Sequence, residues 1–200
     1  TDIAPLDAAG VLMIGHAHLG GFGSVEGVAA AKAEIIAGLL PGGTAILNAD
    51  DSRAAAMAGL APAQVLTFSA HGNRADLWAE DIVLDEAARA AFDLHLPGLD
   101  RPRRVRLAVA GAHNVANALA AAGLALAAGL APELIAERLG SVRIESPHRM
   151  DVLELSGDLL LIDDSYNANI DSMTAALAAL PALAGSRRRV VVVSEMLELG

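Results

Sequence analysis

The chain has 200 residues, of which 54% are hydrophobic, and a formal net charge of −10. The apolar content excludes a disordered chain, and the acidic balance argues against a nucleic-acid-binding protein, whose surface would be basic. The absence of cysteine excludes a disulfide scaffold and a thiolate zinc site.

The chain shows no targeting or membrane signal. Its first ten residues lack the basic region of a secretory signal, and no apolar run reaches the roughly 18 residues of a membrane span. It also begins without methionine. We therefore expect a cytoplasmic protein that is either processed or a fragment.

The pattern of apolar residues and turn signals predicts an α/β fold. In chain order it predicts a strand at 11–15, a helix at about 25–39 capped by Ser24, a strand at 44–48, a short helix capped at 50–52, a strand at 64–69, an antiparallel β meander between about 75 and 110, and helices at 112–128 and 132–139. After a polar linker at 141–148 it predicts strands at 149–155 and 158–163, a helix at 171–183, and an all-apolar strand at 189–193 in the centre of a parallel sheet.

Lys32 is the only lysine among 14 basic residues. A helical wheel places it in the middle of the apolar face of the helix at 25–39. One interpretation is a lysine whose stem lies over apolar surface while its charge stays in water. The other is a desolvated amine of lowered pKa that reacts with carbon dioxide to form a carbamate, an anionic metal ligand.

His16 and His18 follow the first predicted strand with the i, i+2 spacing that places both on one side of an extended segment. They are either structural or ligands of a divalent metal ion. The second possibility leaves open a metal-dependent hydrolase.

The motif GAHNVANALAA (111–121) begins a helix directly after a strand. Asn114 and Asn117 are three residues apart and share a face of that helix. They either cap the helix or hydrogen-bond the edge of a heterocycle.

A dense polar cluster, DDSYNAN (163–169), follows the predicted strand 158–163. In open α/β sheets ligands bind at the carboxyl ends of strands, where an aspartate commonly accepts from ribose hydroxyls. Arg149, near the start of the neighbouring strand, would supply positive charge for a phosphate. The alternative is an Asx-rich turn that caps the next helix.

No GxxxxGK[ST] motif occurs in the 200 residues. The chain therefore lacks the backbone amides and the lysine that cradle the phosphates of ATP in P-loop proteins. This absence leaves open a non-catalytic nucleotide-binding or regulatory module.

Six segments together resemble the Mur ligase family: 14–36, AILNADD (45–51), GAHNVANALAA (111–121), SPHRMDV (146–152), LLIDDSYNANIDSM (160–173) and EMLELG (195–200). The resemblance implies that residues 1–145 are part of a P-loop-type central ATPase domain without its P-loop. Residues 146–200 would be the first part of a Rossmann-like C-terminal ligase domain, incomplete in this chain.

The DDSYNAN block is similar to that of family members that add D-alanyl-D-alanine to UDP-N-acetylmuramoyl-tripeptide. The resemblance implies an ATP- and magnesium-dependent ligase of cell-wall peptidoglycan synthesis, and hence a part in cell shape and division. ATP would phosphorylate the carboxylate of the tripeptide, and the amine of the dipeptide would attack the acyl phosphate. Because the P-loop motif is absent, we expect the chain alone to be inactive.

The resemblance also implies roles for individual residues. Lys32 would be the carbamylated lysine and His18 a magnesium ligand, both catalytic. Asn114 and Asn117 would contact adenine, and Arg149, Asp164 and Tyr166 would bind the rest of the nucleotide. Asn167 and Asn169 would face the incoming dipeptide.

Overall fold

The computed structural model describes residues 5–15, 19–62, 64–143 and 146–196. The described part contains a six-stranded mixed sheet, a separate β-hairpin and six α-helices. The strands of the large sheet are β1 (Leu6–Val11), β2 (Leu39–Asn48), β3 (Gln64–Ser69), β4 (Leu77–Leu84), β5 (Arg89–His95) and β6 (Arg103–Ala110). The helices that accompany them are α1 (Leu19–Phe22), α2 (Val25–Ala37), α3 (Ser52–Ala56), α4 (Asn114–Ala127) and α5 (Pro132–Leu139), with a 3₁₀ turn at Met57–Leu60.

The strands of this sheet lie side by side in chain order. The first four are parallel, and the last three form the predicted antiparallel meander. Helices α4 and α5 contribute to the larger apolar core with strands β2 to β6, whereas α2 and α3 pack with β1 and β2 in a second core. Because the parallel strands share a direction, their carboxyl ends meet at one edge of the sheet.

Two predicted boundaries are wrong at the start of the sheet. The first strand covers 6–11 rather than 11–15, because parallel pairing with β2 holds a segment rich in alanine and glycine in the sheet. Helix α2 ends at Ala37, and the predicted stop at 41–43 lies inside β2. The Ser24 cap is confirmed, since its hydroxyl accepts from the Gly27 amide at 3.0 Å.

The remaining elements are the antiparallel hairpin β7 (Asp151–Leu155) and β8 (Leu159–Asp163), followed by α6 (Ile170–Ala184). The predicted strand at 189–193 is wrong. Residues 188–196 form no helix or strand, and Val192 is 92% exposed. A strand buried on both faces needs sheet neighbours and covering helices, and the described residues pair β7 and β8 only with each other.

Within the described ranges, no helix has the length and apolar character that crossing a bilayer requires.

Candidate functional site

The segment after β1 is held by side chains from the ends of neighbouring elements. The side-chain NH₂ group of Asn48, at the end of β2, donates to the Leu12 carbonyl at 2.7 Å. The Ile14 amide donates to the Asp51 carboxylate at 2.6 Å. Asp51 also caps α3 by accepting from the amides of Arg53 and Ala54. Side-chain hydrogen bonds therefore hold the loops together at the carboxyl edge of the parallel strands.

Lys32 reaches this edge from α2. Its ammonium Nζ donates to the Met13 carbonyl at 2.8 Å, so the long side chain spans from the helix to the loop after β1. The side chain is exposed, and Ile35 beside it on the helix is 43% exposed. The expectation of a desolvated amine is therefore wrong, because α2 buries only part of its apolar face. His16 and His18 lie outside the described residues.

Asp50 organises the loop that follows β3. Its carboxylate accepts hydrogen bonds at 2.6–3.1 Å from the Ser69 hydroxyl, the Ala70 amide, the His71 ring and the Asn73 amide. Burial alone would raise the pKa of Asp50, but these hydrogen bonds outweigh burial and lower it. Asp50 thus remains a carboxylate and fixes the loop after β3 at the carboxyl edge of the sheet. The sequence pattern indicated only a helix cap at this position.

The N-terminus of α4 carries the two predicted asparagines. The side-chain NH₂ group of Asn114 donates to the Ala110 carbonyl at 2.7 Å, and the side-chain oxygen of Asn114 accepts from the side-chain NH₂ group of Asn117 at 2.9 Å. The two side chains therefore share a face, as predicted, and Asn114 ties the helix to the end of β6. Partial burial lowers the pKa of His113 beside them, and the carboxylate of Asp164 opposes that shift. This interaction places Asp164 near the start of α4.

The loop before β7 and the loop after β8 are joined side by side. The His148 ring contacts the Asp163 carboxylate at 2.7 Å, and the Asp163 carboxylate also accepts from the Ser165 hydroxyl at 2.6 Å. The Ser165 and His148 hydrogen bonds lower the pKa of Asp163 to about 2, and the Asp163 contact raises the pKa of His148. Neither residue was among the predicted site residues.

Arg149 and Tyr166 are in direct contact. The Arg149 guanidinium carbon lies 4.0 Å from the centroid of the Tyr166 ring, which is a cation–π arrangement. Beside them, the Met150 amide donates to the Asp164 carboxylate at 3.0 Å. The structure therefore brings together the three nucleotide-site residues predicted in this unit.

Asn167 and Asn169 make local contacts. The Asn167 side chain accepts from the Ala168 amide at 2.8 Å. The Asn169 side chain accepts from the Ser172 amide at 2.8 Å, and the Ser172 hydroxyl accepts from the Asn169 amide, which forms a capping box at the start of α6.

The two units approach each other at these loops. Asp171, in the first turn of α6, packs against Gly15 in the segment after β1. Together with the interaction between Asp164 and His113, this contact puts the DDSYNAN loop opposite the carboxyl edge of the large sheet.

The donor set for a metal ion is not assembled within the described ranges, which contain no group of three or more His, Asp or Glu side chains that would hold one. A protonated lysine has no lone pair to offer a cation, so the Lys32 ammonium does not fit a magnesium ligand unless it is modified.

Comparison with known families gives two matches that follow each other along the chain. The sequence model of the Mur ligase middle domain matches residues 1–125. The sequence model of the Mur ligase glutamate ligase domain matches residues 148–200.

Known proteins similar to the chain include two UDP-N-acetylmuramoyl-tripeptide–D-alanyl-D-alanine ligases. The chain is 45% identical over 203 residues to the enzyme of Mycobacterium tuberculosis and 40% identical over 197 residues to that of Escherichia coli. These alignments cover 100% and 97% of this chain, but only 39% and 42% of the relatives. The chain thus spans about two fifths of their length.

Solved structures agree with this similarity. A crystal structure of MurF from Acinetobacter baumannii matches with a TM-score of 0.80 and 39% identity, over 88% of this chain and 37% of that one. MurF from Thermotoga maritima in complex with ADP matches with a TM-score of 0.73 and 25% identity, over 90% of this chain and 40% of that one.

Proposed function

Because the chain belongs to the Mur ligase family, we propose that it is part of an ATP-dependent ligase that joins D-alanyl-D-alanine to UDP-N-acetylmuramoyl-tripeptide in peptidoglycan synthesis. The observation that carries this proposal is the similarity to such ligases along the whole chain. We place the boundary between the central and C-terminal domains between residues 145 and 146.

The nucleotide would bind between the start of α4 and the DDSYNAN loop. Asn114 and Asn117 offer amide groups for the edge of adenine, and the Asp164 carboxylate can accept from ribose hydroxyls. Arg149 would bind phosphate. It lies over the ring of Tyr166, which belongs to the same proposed site. Asn167 and Asn169 would face the incoming dipeptide, with Asn169 also keeping its role as a helix cap.

Magnesium would be held by His18 and by a carbamate on Lys32. The neutral Nζ of Lys32 would attack the carbon of CO₂, forming an N–C bond and releasing a proton. The product is an anionic oxygen ligand of the kind that magnesium prefers. Bound magnesium would neutralise charge on the phosphoryl group. Because Lys32 is exposed, CO₂ can reach its amine.

A metal-dependent hydrolase has no such support. His16 and His18 lie outside the described residues, and the described ranges offer no further ligand cluster.

A chimera tests the ligase function. Residues 1–200 would replace the matching segment of the Mycobacterium tuberculosis ligase, which supplies its own P-loop. Phosphate release would be measured with ATP, UDP-N-acetylmuramoyl-tripeptide and D-alanyl-D-alanine. We expect turnover by the chimera and none by the 200-residue chain alone. An inactive but folded chimera, or turnover by the chain alone, would contradict the proposal.

Two variants of the chimera test the carbamate. Lys32→Ala and Lys32→Arg should both lose activity, because neither carries an amine that reacts with CO₂. A small carboxylic acid such as acetate should restore activity to Lys32→Ala, where the side chain leaves space, but not to Lys32→Arg. Equal activity of Lys32→Arg and the unmodified chimera would exclude the carbamate.

A further inference from the structure

The loop 148–151 is joined to the loop 163–166 by contacts of both backbone and side chains. The His148 ring contacts the Asp163 carboxylate at 2.7 Å, and the His148 carbonyl accepts from the Tyr166 amide at 3.0 Å. The Met150 amide donates to Asp164 at 3.0 Å. A third carboxylate, that of Asp151, accepts from the His148 amide at 2.6 Å. The first three bonds fix one loop against the other, and the bond to Asp151 closes the loop 148–151 on itself.

The loop 148–151 would not hold this shape unaided. His148 and Met150 have φ angles of 63° and 50°, in the left-handed region that residues with a Cβ rarely adopt. Arg149 lies between them and over the Tyr166 ring. An unfavourable backbone persists only when surrounding contacts determine it, and the contact between His148 and Asp163 joins the two loops directly at this turn.

We propose that His148 and Asp163 are a pair of positioning residues, which hold Arg149, Tyr166 and Asp164 in the arrangement that receives the nucleotide. This inference rests on the proposed function for the nucleotide itself, but the positioning can be tested without any ligand.

The charges around His148 favour its protonated form. Asp163 and Asp151 both raise its pKa, with the Asp163 hydrogen bond as the larger cause. Among the described residues of these two loops, Arg149 and Asp164 are the other charged groups, and Asp164 in turn interacts with His113 of the first unit. Because the pKa of His148 is raised in the folded chain, the ion pair is complete below about pH 6.5 and is lost as pH rises through the raised value.

The chain offers single-site reporters for a test. Tyr166 is its only tyrosine and Trp78 its only tryptophan. Carbon-13-labelled tyrosine gives one set of ring signals, and their nuclear Overhauser contacts with the Arg149 side chain report the stacked arrangement. Labelled histidine gives the titration of six rings, and the signal that is absent in His148→Gln identifies the His148 ring. The Trp78 indole signal reports whether the variants at His148 and Asp163 are folded. Circular dichroism reports this for the His95 variant, because the Trp78 and His95 rings stack with centroids 4.2 Å apart.

We expect the contact between Tyr166 and Arg149 to weaken as His148 loses its proton. His148→Gln should lose the contact at every pH, and Asp163→Asn should lower the titration midpoint of His148. The matched control is His95→Gln, which removes another histidine–carboxylate contact, 2.8 Å to Glu80, between strands β5 and β4 of the meander. A contact between Tyr166 and Arg149 that persists unchanged in both His148→Gln and Asp163→Asn would overturn the positioning role.

Calorimetry with ADP then tests the consequence for the site. His148→Gln and Asp163→Asn should each bind ADP about threefold to tenfold more weakly than the unmodified chain, with His95→Gln unchanged. Equal affinity in the His148 variant and the unmodified chain would overturn the link to the nucleotide. If neither the unmodified chain nor the unmodified chimera binds ADP, the proposed nucleotide site fails, whereas the tyrosine signals still decide the positioning role.

Discussion

The carboxyl group of Asp171, in the first turn of α6, lies directly against Gly15, in the segment that follows β1. The two residues are 156 positions apart by their numbering and belong to the two different units of the chain. A methyl group on Gly15 would also meet the end of the Met13 side chain at 3.1 Å. The close approach therefore depends on the absence of a Cβ at position 15.

Gly15→Ala should separate the units locally without unfolding either of them. Since the φ angle of Gly15 is not in the left-handed region, only the lack of space opposes the substitution. The nearest atoms that a Cβ at position 15 would meet belong to the ends of the Asp171 and Met13 side chains and not to backbone, so we expect the free energy of unfolding to fall by no more than about 1 kcal/mol. Amide hydrogen exchange in the first turn of α6 should become faster.

The control for this substitution is Gly59→Ala, because a Cβ at Gly59 meets nothing within 4 Å. Exchange in α6 that stays the same in Gly15→Ala as in Gly59→Ala would show that the contact does not hold the two units together.

Asp50→Asn should destabilise the loop after β3. The Asp50 carboxylate is 9% exposed and accepts four hydrogen bonds, and either orientation of an Asn amide places its NH₂ group against two donors. We expect a loss of about 2–3 kcal/mol at pH 7, measured by urea unfolding. Asp158→Asn is the control. It affects an exposed ion pair with Arg187 and should cost less than about 1 kcal/mol.

The effect of Asp50→Asn should depend on pH. Because the pKa of Asp50 is lowered in the folded chain, its stabilising contribution is present above about pH 4 and is lost as pH falls through the lowered value. The difference between the unmodified chain and the variant should therefore be constant between about pH 5 and pH 7 and should narrow below about pH 4. A difference that grows on acidification would refute this account.

The two asparagines of α4 should separate into a structural and a ligand-binding role. Asn114→Ala removes the hydrogen bond to the Ala110 carbonyl and should lower the free energy of unfolding by about 1 kcal/mol. Asn117 is exposed, so Asn117→Ala should change stability by less than about 0.5 kcal/mol. If the nucleotide site is as proposed, Asn117→Ala should nevertheless weaken ADP binding in calorimetry. Unchanged ADP affinity in this variant would remove Asn117 from the site.

Sequence patterns predicted those parts of the fold that local signals determine. The meander at β4 to β6 follows from strand-like apolar segments that Pro97-Gly98 and Arg101-Pro102 interrupt, and its antiparallel pairing is confirmed. The buried stripe of α4, with Val115, Leu119 and Ala122, follows from helical spacing. Arg149 and Tyr166, which the family resemblance assigns to one nucleotide site, are in contact, although the sequence did not predict the contact itself.

Features that depend on packing between distant elements were not predictable in this way. Ala8 and Gly10 are weak strand formers, and β1 exists because it pairs with β2. The helical wheel gives the direction in which Lys32 leaves the helix axis, on the same face as the buried residues Val28 and Ile36. It does not show how deeply α2 packs, and Lys32 is exposed. His148 and Asp163 are 15 residues apart in the chain and join two loops. Their residue types are compatible with an ion pair, but nothing in the sequence indicates that the two loops lie side by side.

The four exposed valines at 190–193 should make the chain self-associate. They form an uncharged, β-branched run of the kind that pairs with exposed strand edges, and Val192 is 92% exposed. Val192→Asp places a charge in this run without removing a folded contact, so stability should not change while association weakens. Sedimentation velocity over a range of concentrations measures the effect. Val142→Asp, at an isolated valine that is 54% exposed, adds the same charge elsewhere and should leave association as it was. If both variants reduce association equally, net charge and not the valine run is responsible.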